Sequence, residues 1–424
     1  MKQLAILGGQ KSVKIPFPHF VWPDVDERDI KAVEKYMRNP VNGSTGMPKS
    51  VDDFEKNFQE FHHAEYVLAL NSETSCLHTA FFAFGIGGGD DVLVPDFTFP
   101  ATALPILSLG ANPILVDCQR DTFNINPEDI LKKITPKTKA LVVTHLWGHP
   151  CEMDEIVAIC KDRHILLLED CAHVPGAKYK GKLVGTFGDI GCFSFDNQKL
   201  LASGEAGIMI FKNREIYERA IVFSDFGVRP KKQLTIEQWK QFNDTGLAVK
   251  YRIHPLAAVV ANEKFSRLEE FNSRRKDLYN YFCCALDAVT TIEKPVTRTY
   301  VERGGYYGFK PIFKTINRVG ILKYIEALWA EGVDIRQTVT PPLHRTALFG
   351  KTESYGVPLN KKWDREIIKF TDVDFPNSSW VQDNHLSFAT FSHEKEKAII
   401  DQYIEAILKV EKVMTEAPEL LGVK

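Results

Sequence analysis

Between Tyr66 and Phe211 the chain repeats one pattern, a short β-rich run followed by a segment long enough for a helix. The short runs fall at residues 66–70, 91–94, 113–116, 140–144, 165–168, 191–195 and 207–211. Parallel strands need long crossovers, usually helices, so the alternation predicts a parallel sheet covered by helices. The run Ile165-Leu166-Leu167-Leu168 is apolar at every position, as expected of a central strand buried on both faces. Ligands of such sheets bind beyond the carboxyl ends of the strands, which directs the search for functional residues there.

The pattern changes near residue 255. One long helical pattern over 255–271 leads into an α+β mixture, with strand candidates at 306–313 and 333–339 and a helix over 318–331 stopped by Gly332. An amphipathic helix over 393–413 ends it. A length of 424 residues suits two units, a large one over 1–254 that includes an N-terminal arm and a smaller one over 255–424. Hydrophobic residues at 44% and charged residues at 25% are ordinary for globular chains and exclude disordered, collagen-like and coiled-coil classes. The 53 basic and 55 acidic residues give a net charge of −2 without like-charge blocks, which argues against nucleic-acid binding. No apolar run reaches the roughly 18 residues of a membrane span, and the opening apolar stretch is too short for a signal peptide, so a cytoplasmic protein is expected. The 8 cysteines form no CxxC pair or zinc spacing, which suggests reduced, buried thiols and no metal.

Several motifs could carry chemistry. Gly85, Gly87, Gly88 and Gly89 suggest a dinucleotide loop, but they follow a helical segment and lead into a strand, and Asp90 stands where GxGxxG needs its last glycine. They read as a helix stop and turn. Asp170 follows the buried run 165–168 and so places a carboxylate at the ligand edge of the sheet. Strand-end aspartates are commonly turn or cap residues, and a lysine after a strand, such as Lys199, is ordinarily solvated. Together they make a more specific proposal, because pyridoxal phosphate needs a lysine for its Schiff base and a carboxylate for its pyridinium nitrogen. The phosphate needs backbone N–H groups and hydroxyls, which Asn71-Ser72-Glu73-Thr74-Ser75 offers at a strand-to-helix turn.

At this point the sequence resembles the DegT/DnrJ/EryC1/StrS sugar aminotransferases, fold type I enzymes with a large domain built on a mostly parallel sheet and a smaller α+β domain. The resemblance runs through Phe54-Glu55, residues 71–77, Val94-Pro95 to Thr102, Thr144-His-Leu-Trp-Gly148, Glu169-Asp170-Cys-Ala-His173, Ser194-Phe195-x-x-x-Lys199 and Gly204-Glu205. It continues at Lys250-Tyr251-Arg252 and Pro342-Leu343-His344. It implies Lys199 as Schiff-base residue and proton shuttle, Asp170 as pyridinium partner, Phe99 stacked on the ring, and His173 near the phenolic oxygen. It further implies Thr74, Ser75 and Ser194 as phosphate ligands, and Ser44, Thr45, Arg252 and His344 as substrate contacts.

The implied reaction moves an amino group from glutamate or glutamine to a keto-sugar or ketocyclitol by ping-pong half-reactions, with pyridoxamine phosphate between them. The implied assembly is a homodimer with shared active sites. Two alternatives stay open on the same fold: an aminoshikimate-type dehydrating, aromatising enzyme, and a non-catalytic regulatory protein. Family dehydratases that replace the lysine with histidine are disfavoured by Lys199. The sequence departs from the family twice. Glu73 replaces the glycine of Ser-Gly-Thr, and Lys250 replaces the asparagine that the partner subunit commonly offers to the phosphate. Lys250 is expected to reach that phosphate across the dimer and to offset Glu73.

Overall fold

The computed structural model describes residues 3–19, 22–247, 249–314, 318–337, 340–350 and 370–422. Its central sheet holds seven strands: β1 (Tyr66–Leu70), β2 (Asp91–Pro95), β3 (Asn112–Val116), β4 (Thr138–Thr144), β5 (Leu166–Asp170), β6 (Ile190–Ser194) and β7 (Gly207–Phe211). Their spatial order is β1-β7-β6-β5-β4-β2-β3, with β7 alone antiparallel to its neighbours. Alternate residues of each strand enter opposite cores. Leu141, Val143, Leu167 and Phe193 face one layer, where they meet α2 (Lys49–His62), the helix that follows α1 (Glu27–Arg38), through Phe54 and Phe58. Ala140, Val142, Leu168 and Cys192 face the other, against α3 (Glu73–Ala83). A sheet covered on both faces is therefore apolar along whole strands, as 165–168 foretold. The turn Gly85–Gly89 serves as punctuation, with Gly85 at φ +71° between the end of α3 and β2. All eight cysteines are free, and six of them are buried.

The helical pattern over 255–271 is two helices, Pro255–Phe265 and Leu268–Ala285. The break falls where the Ser266 hydroxyl takes the carbonyl of Glu263 at 2.7 Å, a back-bond that competes with the helix ladder. The first helix belongs to the sheet's core through Ala258, Ala261 and Phe265, and the second turns towards the smaller unit through Leu278 and Phe282. In that unit the helix Arg318–Ala330 is followed by Gly332 at φ +93°, as expected. The strands expected over 306–313 and 333–339 shrink to Ile312–Phe313 and Ile335–Arg336. Tyr306 at φ +46° and Gly308 at φ +81° bend the first away from extended geometry, and Pro311 brings no N–H to a ladder. The terminal helix spans Lys397–Glu416. The N-terminal arm is sewn to this smaller unit: Leu4 and Val13 enter its core, and the buried Glu331 carboxylate accepts from Ala5 N, Ser12 N and Lys409 Nζ.

One buried ion pair locks α2 to the sheet. Arg229 Nη2 lies 2.9 Å from both Glu55 oxygens, and Glu55 also accepts from Ala69 N at 2.7 Å within β1. Removing the arginine would strand a buried carboxylate, so Arg229→Ala is expected to lose about 3–5 kcal/mol. A fall in urea midpoint of that size, without a change in slope, is the measurement that checks it.

Candidate active site

Parallel β5 delivers alternate side chains to opposite faces, so Glu169 and Asp170 serve different tasks. Glu169 accepts backbone N–H groups from Gly185, Phe187 and Gly188 at 2.6–2.7 Å and faces His145 Nε2 at 3.1 Å, which pins the following turn. Asp170 ends β5 at the carboxyl edge of the sheet, close to a cavity of about 760 Å³ that Glu73 and Lys199 line. Asp170 is 3% exposed. Its Oδ2 accepts from Thr102 Oγ1 at 2.9 Å and Thr144 Oγ1 at 3.2 Å, and its Oδ1 from Ala172 N at 3.2 Å. Thr144 is the register partner of Asp170 in β4, so strand pairing itself brings the hydroxyl there.

Lys199 lies five residues beyond the end of β6, in a turn closed by its N–H on the Asp196 carbonyl at 2.9 Å. Its Nζ sits 4.3 Å above the Tyr307 ring. Burial lowers the proton affinity of this amine, and Glu73, Asp170 and Asp196 oppose that shift. His173 stacks against both Trp147 and Tyr307, with centroids at 5.1 and 4.2 Å, and those two rings lie 6.0 Å from each other. Burial, then Lys199 and Lys310, push the imidazole well below its usual range, so it stands neutral.

The N-terminus of α3 approaches the same cavity because Gly207 of β7 has no side chain. A Cβ there would lie 2.5 Å from the Ser72 carbonyl carbon and oxygen. Ser72 caps the helix through Ser75 N at 3.1 Å. Thr74 lines the cavity, as do Phe99 and Ser194. Ser75 does not; its hydroxyl donates to Asn71 Oδ1 at 2.6 Å and orders the turn from behind. Glu73 turns inward beside Asp170 and Lys199, with Oε1 buried and unpartnered among the described residues. Its carboxyl is pushed well up by burial and by the Asp170 charge, against the pull of Lys199.

The remaining expected residues lie outside this cavity within one chain. Lys250 is exposed, and the neighbouring Tyr251 carbonyl accepts from Asn71 N at 2.8 Å, so the segment runs along the edge of the α3 turn. Arg252 Nε lies 3.2 Å from Asp225 Oδ1. Ser44 Oγ and Thr45 N both bond Asp52, at 3.2 and 3.1 Å, in a separate surface depression. His344 is buried; it bonds Asp96 through its N–H and Nδ1 at 2.8 and 2.7 Å and Ser379 at 3.2 Å, which fixes the cavity-lining Pro341 and Pro342 just before it. Sequence reasoning missed the cavity cations Arg275, Lys310 and Arg336. Arg275 lies within the helix Leu268–Ala285 and Lys310 follows the bend at Tyr306 and Gly308, and only packing brings them to one cavity.

The model of the DegT/DnrJ/EryC1/StrS aminotransferase family matches residues 23–371. The chain belongs to this family. GDP-perosamine synthase of Escherichia coli O157:H7 is 35% identical over 244 residues, covering 58% of this chain and 65% of that protein. A putative L-glutamine:3-amino-2,3-dideoxy-scyllo-inosose aminotransferase of Micromonospora echinospora is 27% identical over 420 residues, 96% of this chain and 97% of that one. The solved aminotransferase from Psychrobacter cryohalolentis is 25% identical with a TM-score of 0.79, covering 93% of this chain and 98% of that structure. The mostly parallel sheet between helices is thus the fold type I aminotransferase architecture.

The position of Glu73 carries a measurable consequence. A carboxyl whose folded pKa is raised favours folding only at low pH; above the usual carboxylate range the unfolded chain ionises freely and the folded chain does not. In cofactor-free protein, Glu73→Gln is expected to match wild type below the usual carboxylate range and to melt at progressively higher temperature than wild type as pH rises above it. Thermal denaturation across that range checks this, and a pH-independent difference would contradict it.

Proposed function

We propose that the protein is a pyridoxal phosphate-dependent aminotransferase that moves an amino group from glutamate or glutamine to a keto-sugar or ketocyclitol. The observation that carries this reading is the triply hydrogen-bonded Asp170 close enough to act on the buried amine of Lys199, which lines the cavity beside the N-terminus of α3. The donor set fits the cofactor. A buried carboxylate whose neighbours all donate to it suits a protonated ring nitrogen, and a helix N-terminus suits a phosphate. Bound pyridoxal phosphate would supply a carbonyl for amine capture and a ring that stores an electron pair.

The chain's own residues supply the rest. Thr102, Thr144 and Ala172 N hold the Asp170 carboxyl in place by donating to it, so it would accept the ring N–H. Lys199, its proton affinity lowered by burial, is available as nucleophile and then as the base that takes a proton from the substrate α-carbon and returns it. Neutral His173 would meet the ring's oxygen without adding charge. Phe99, 62% exposed in one chain, projects into the cavity mouth, where the ring would cover it. Thr74 and Ser194 would hold the phosphate, and Lys250 would reach it from a second copy, since within one chain it is exposed and does not line the cavity.

The experiment is an absorbance spectrum of purified protein with cofactor, before and after borohydride, alongside Lys199→Ala. A yellow chromophore fixed by borohydride only in wild type, and bleached by glutamate or glutamine, is expected. The proton-transfer half-reaction should fall at least about a hundredfold in Lys199→Ala. No bleaching by any donor with cofactor bound would favour a regulatory role. Lys250→Ala should weaken cofactor affinity while leaving the sedimentation of the dimer unchanged; unaltered affinity would remove the cross-subunit contact.

A further inference from the structure

Lys310 is a second lysine in the active-site cavity, and the transfer chemistry assigns it nothing. It is 9% exposed, and among the described residues it forms no ion pair. Its Nζ donates to Ser387 Oγ and stands 4.3 Å over the Trp147 ring. An ammonium has three N–H groups, so these contacts leave donor capacity towards the cavity. The backbone is shaped around this side chain. Gly308 sits at φ +81°, and a Cβ there would lie 2.8 Å from Lys310 Cε and 3.2 Å from Nζ, so the lysine folds back over the space a side chain would fill.

The surroundings ask for negative charge. The charged group that acts on Lys310 is Arg336, another cation lining the cavity, and burial with that neighbour pushes the amine down to about 7. His173 and His385 both lie close enough for Lys310 to lower their proton affinity. Trp147 adds a buried Nε1–H without a partner among the described residues. Burying an uncompensated cation is costly, and an arriving anion removes that cost.

We infer that Lys310, with the Trp147 Nε1–H and Arg336 beside it, is the anion site that receives the carboxylate of the amino-acid donor. The inference rests on the aminotransferase reading and names the residue that recognises its donor. A carboxylate is the charge every amino-acid donor must bring to the carbon bearing its amine, whereas a keto-sugar ring brings none. The shared neighbour His173 places the site close to Lys199, since both amines act on that one imidazole. Lys310 is thus a substrate-binding residue with no part in proton transfer.

The test compares wild type and Lys310→Met, each loaded with pyridoxal phosphate. Single half-reactions with L-glutamate and L-glutamine are followed by loss of cofactor absorbance, and glutarate, a dicarboxylate without an amine, is bound as a dead-end ligand and read by tryptophan fluorescence. The donor concentration for half-maximal bleaching is expected to rise about 10–100-fold in Lys310→Met, with a similar loss of glutarate affinity. Cofactor affinity and the resting spectrum should match wild type. Methionine is unbranched and apolar, so the buried position accepts it, and Gly308→Ala, which displaces the amine, should reproduce the effect. If wild type bleaches and Lys310→Met bleaches at the same donor concentrations, the inference fails and the aminotransferase reading stands. If the loss appears only in the acceptor half-reaction, the anion belongs to the acceptor and the donor assignment is overturned. If wild type itself never bleaches, the parent reading fails, and glutarate binding that depends on Lys310 still supports an anion site.

Discussion

The parallel register of β4 on β5 sets Thr144 beside Asp170, and the site is built outward from that pairing. The carboxylate is buried, and the donors that satisfy it are fixed before any ligand arrives: two threonine hydroxyls and one backbone N–H. One residue earlier the same strand sends Glu169 to the opposite face, where three backbone N–H groups hold the turn that returns the chain to β6. Because β6 ends in Ser194 and leads to Lys199, the lysine's position depends on that turn. A slip of one residue in β5 would exchange the two carboxylates and leave neither task served.

Electrostatics in the cavity follow from burial. Lys199 and Lys310 lose proton affinity, Glu73 gains it, and His173 stays neutral, while the cations Arg275 and Arg336 line the same cavity. A cofactor that brings a phosphate and a pyridinium, and a donor that brings an ammonium and a carboxylate, would each find a partner for every charge. Glu73 is the exception. Its side chain turns towards Asp170 and Lys199, a place the family's glycine leaves free, and its unpartnered oxygen is the clearest mark of difference between this site and the common pattern.

The smaller unit completes the cavity through close backbone approaches. Gly148 and Gly304 meet so tightly that a Cβ on Gly148 would lie 2.7 Å from the Gly304 carbonyl, and Arg303 donates to the Trp147 carbonyl at 3.1 Å. Trp147 adopts φ +56° there, and its ring contacts both His173 and Lys310. On the opposite rim, His344 ties the segment after Pro342 to Asp96 beyond β2. Both anchors join the smaller unit to loops at the carboxyl edge of the sheet, so the cavity's walls are set by contacts between units.

The sequence by itself determined the sheet. Fully apolar strands separated by helix-length segments admit few arrangements, and all seven expected strands lie within two residues of their observed ends. It also made Asp170 and Lys199 legible, because Asp170 closes an apolar run and Lys199 follows the next one by five residues, at the edge where parallel sheets bind ligands. Tertiary structure alone decided the inward turn of Glu73, the supporting role of Ser75, the structural bonds of His344 and the presence of Lys310. Each depends on a side chain's direction after a bend, on a glycine that leaves room, or on a partner hundreds of residues away. Hydrophobic periodicity records which face of an element is buried; it carries no record of which polar groups meet once the elements have packed.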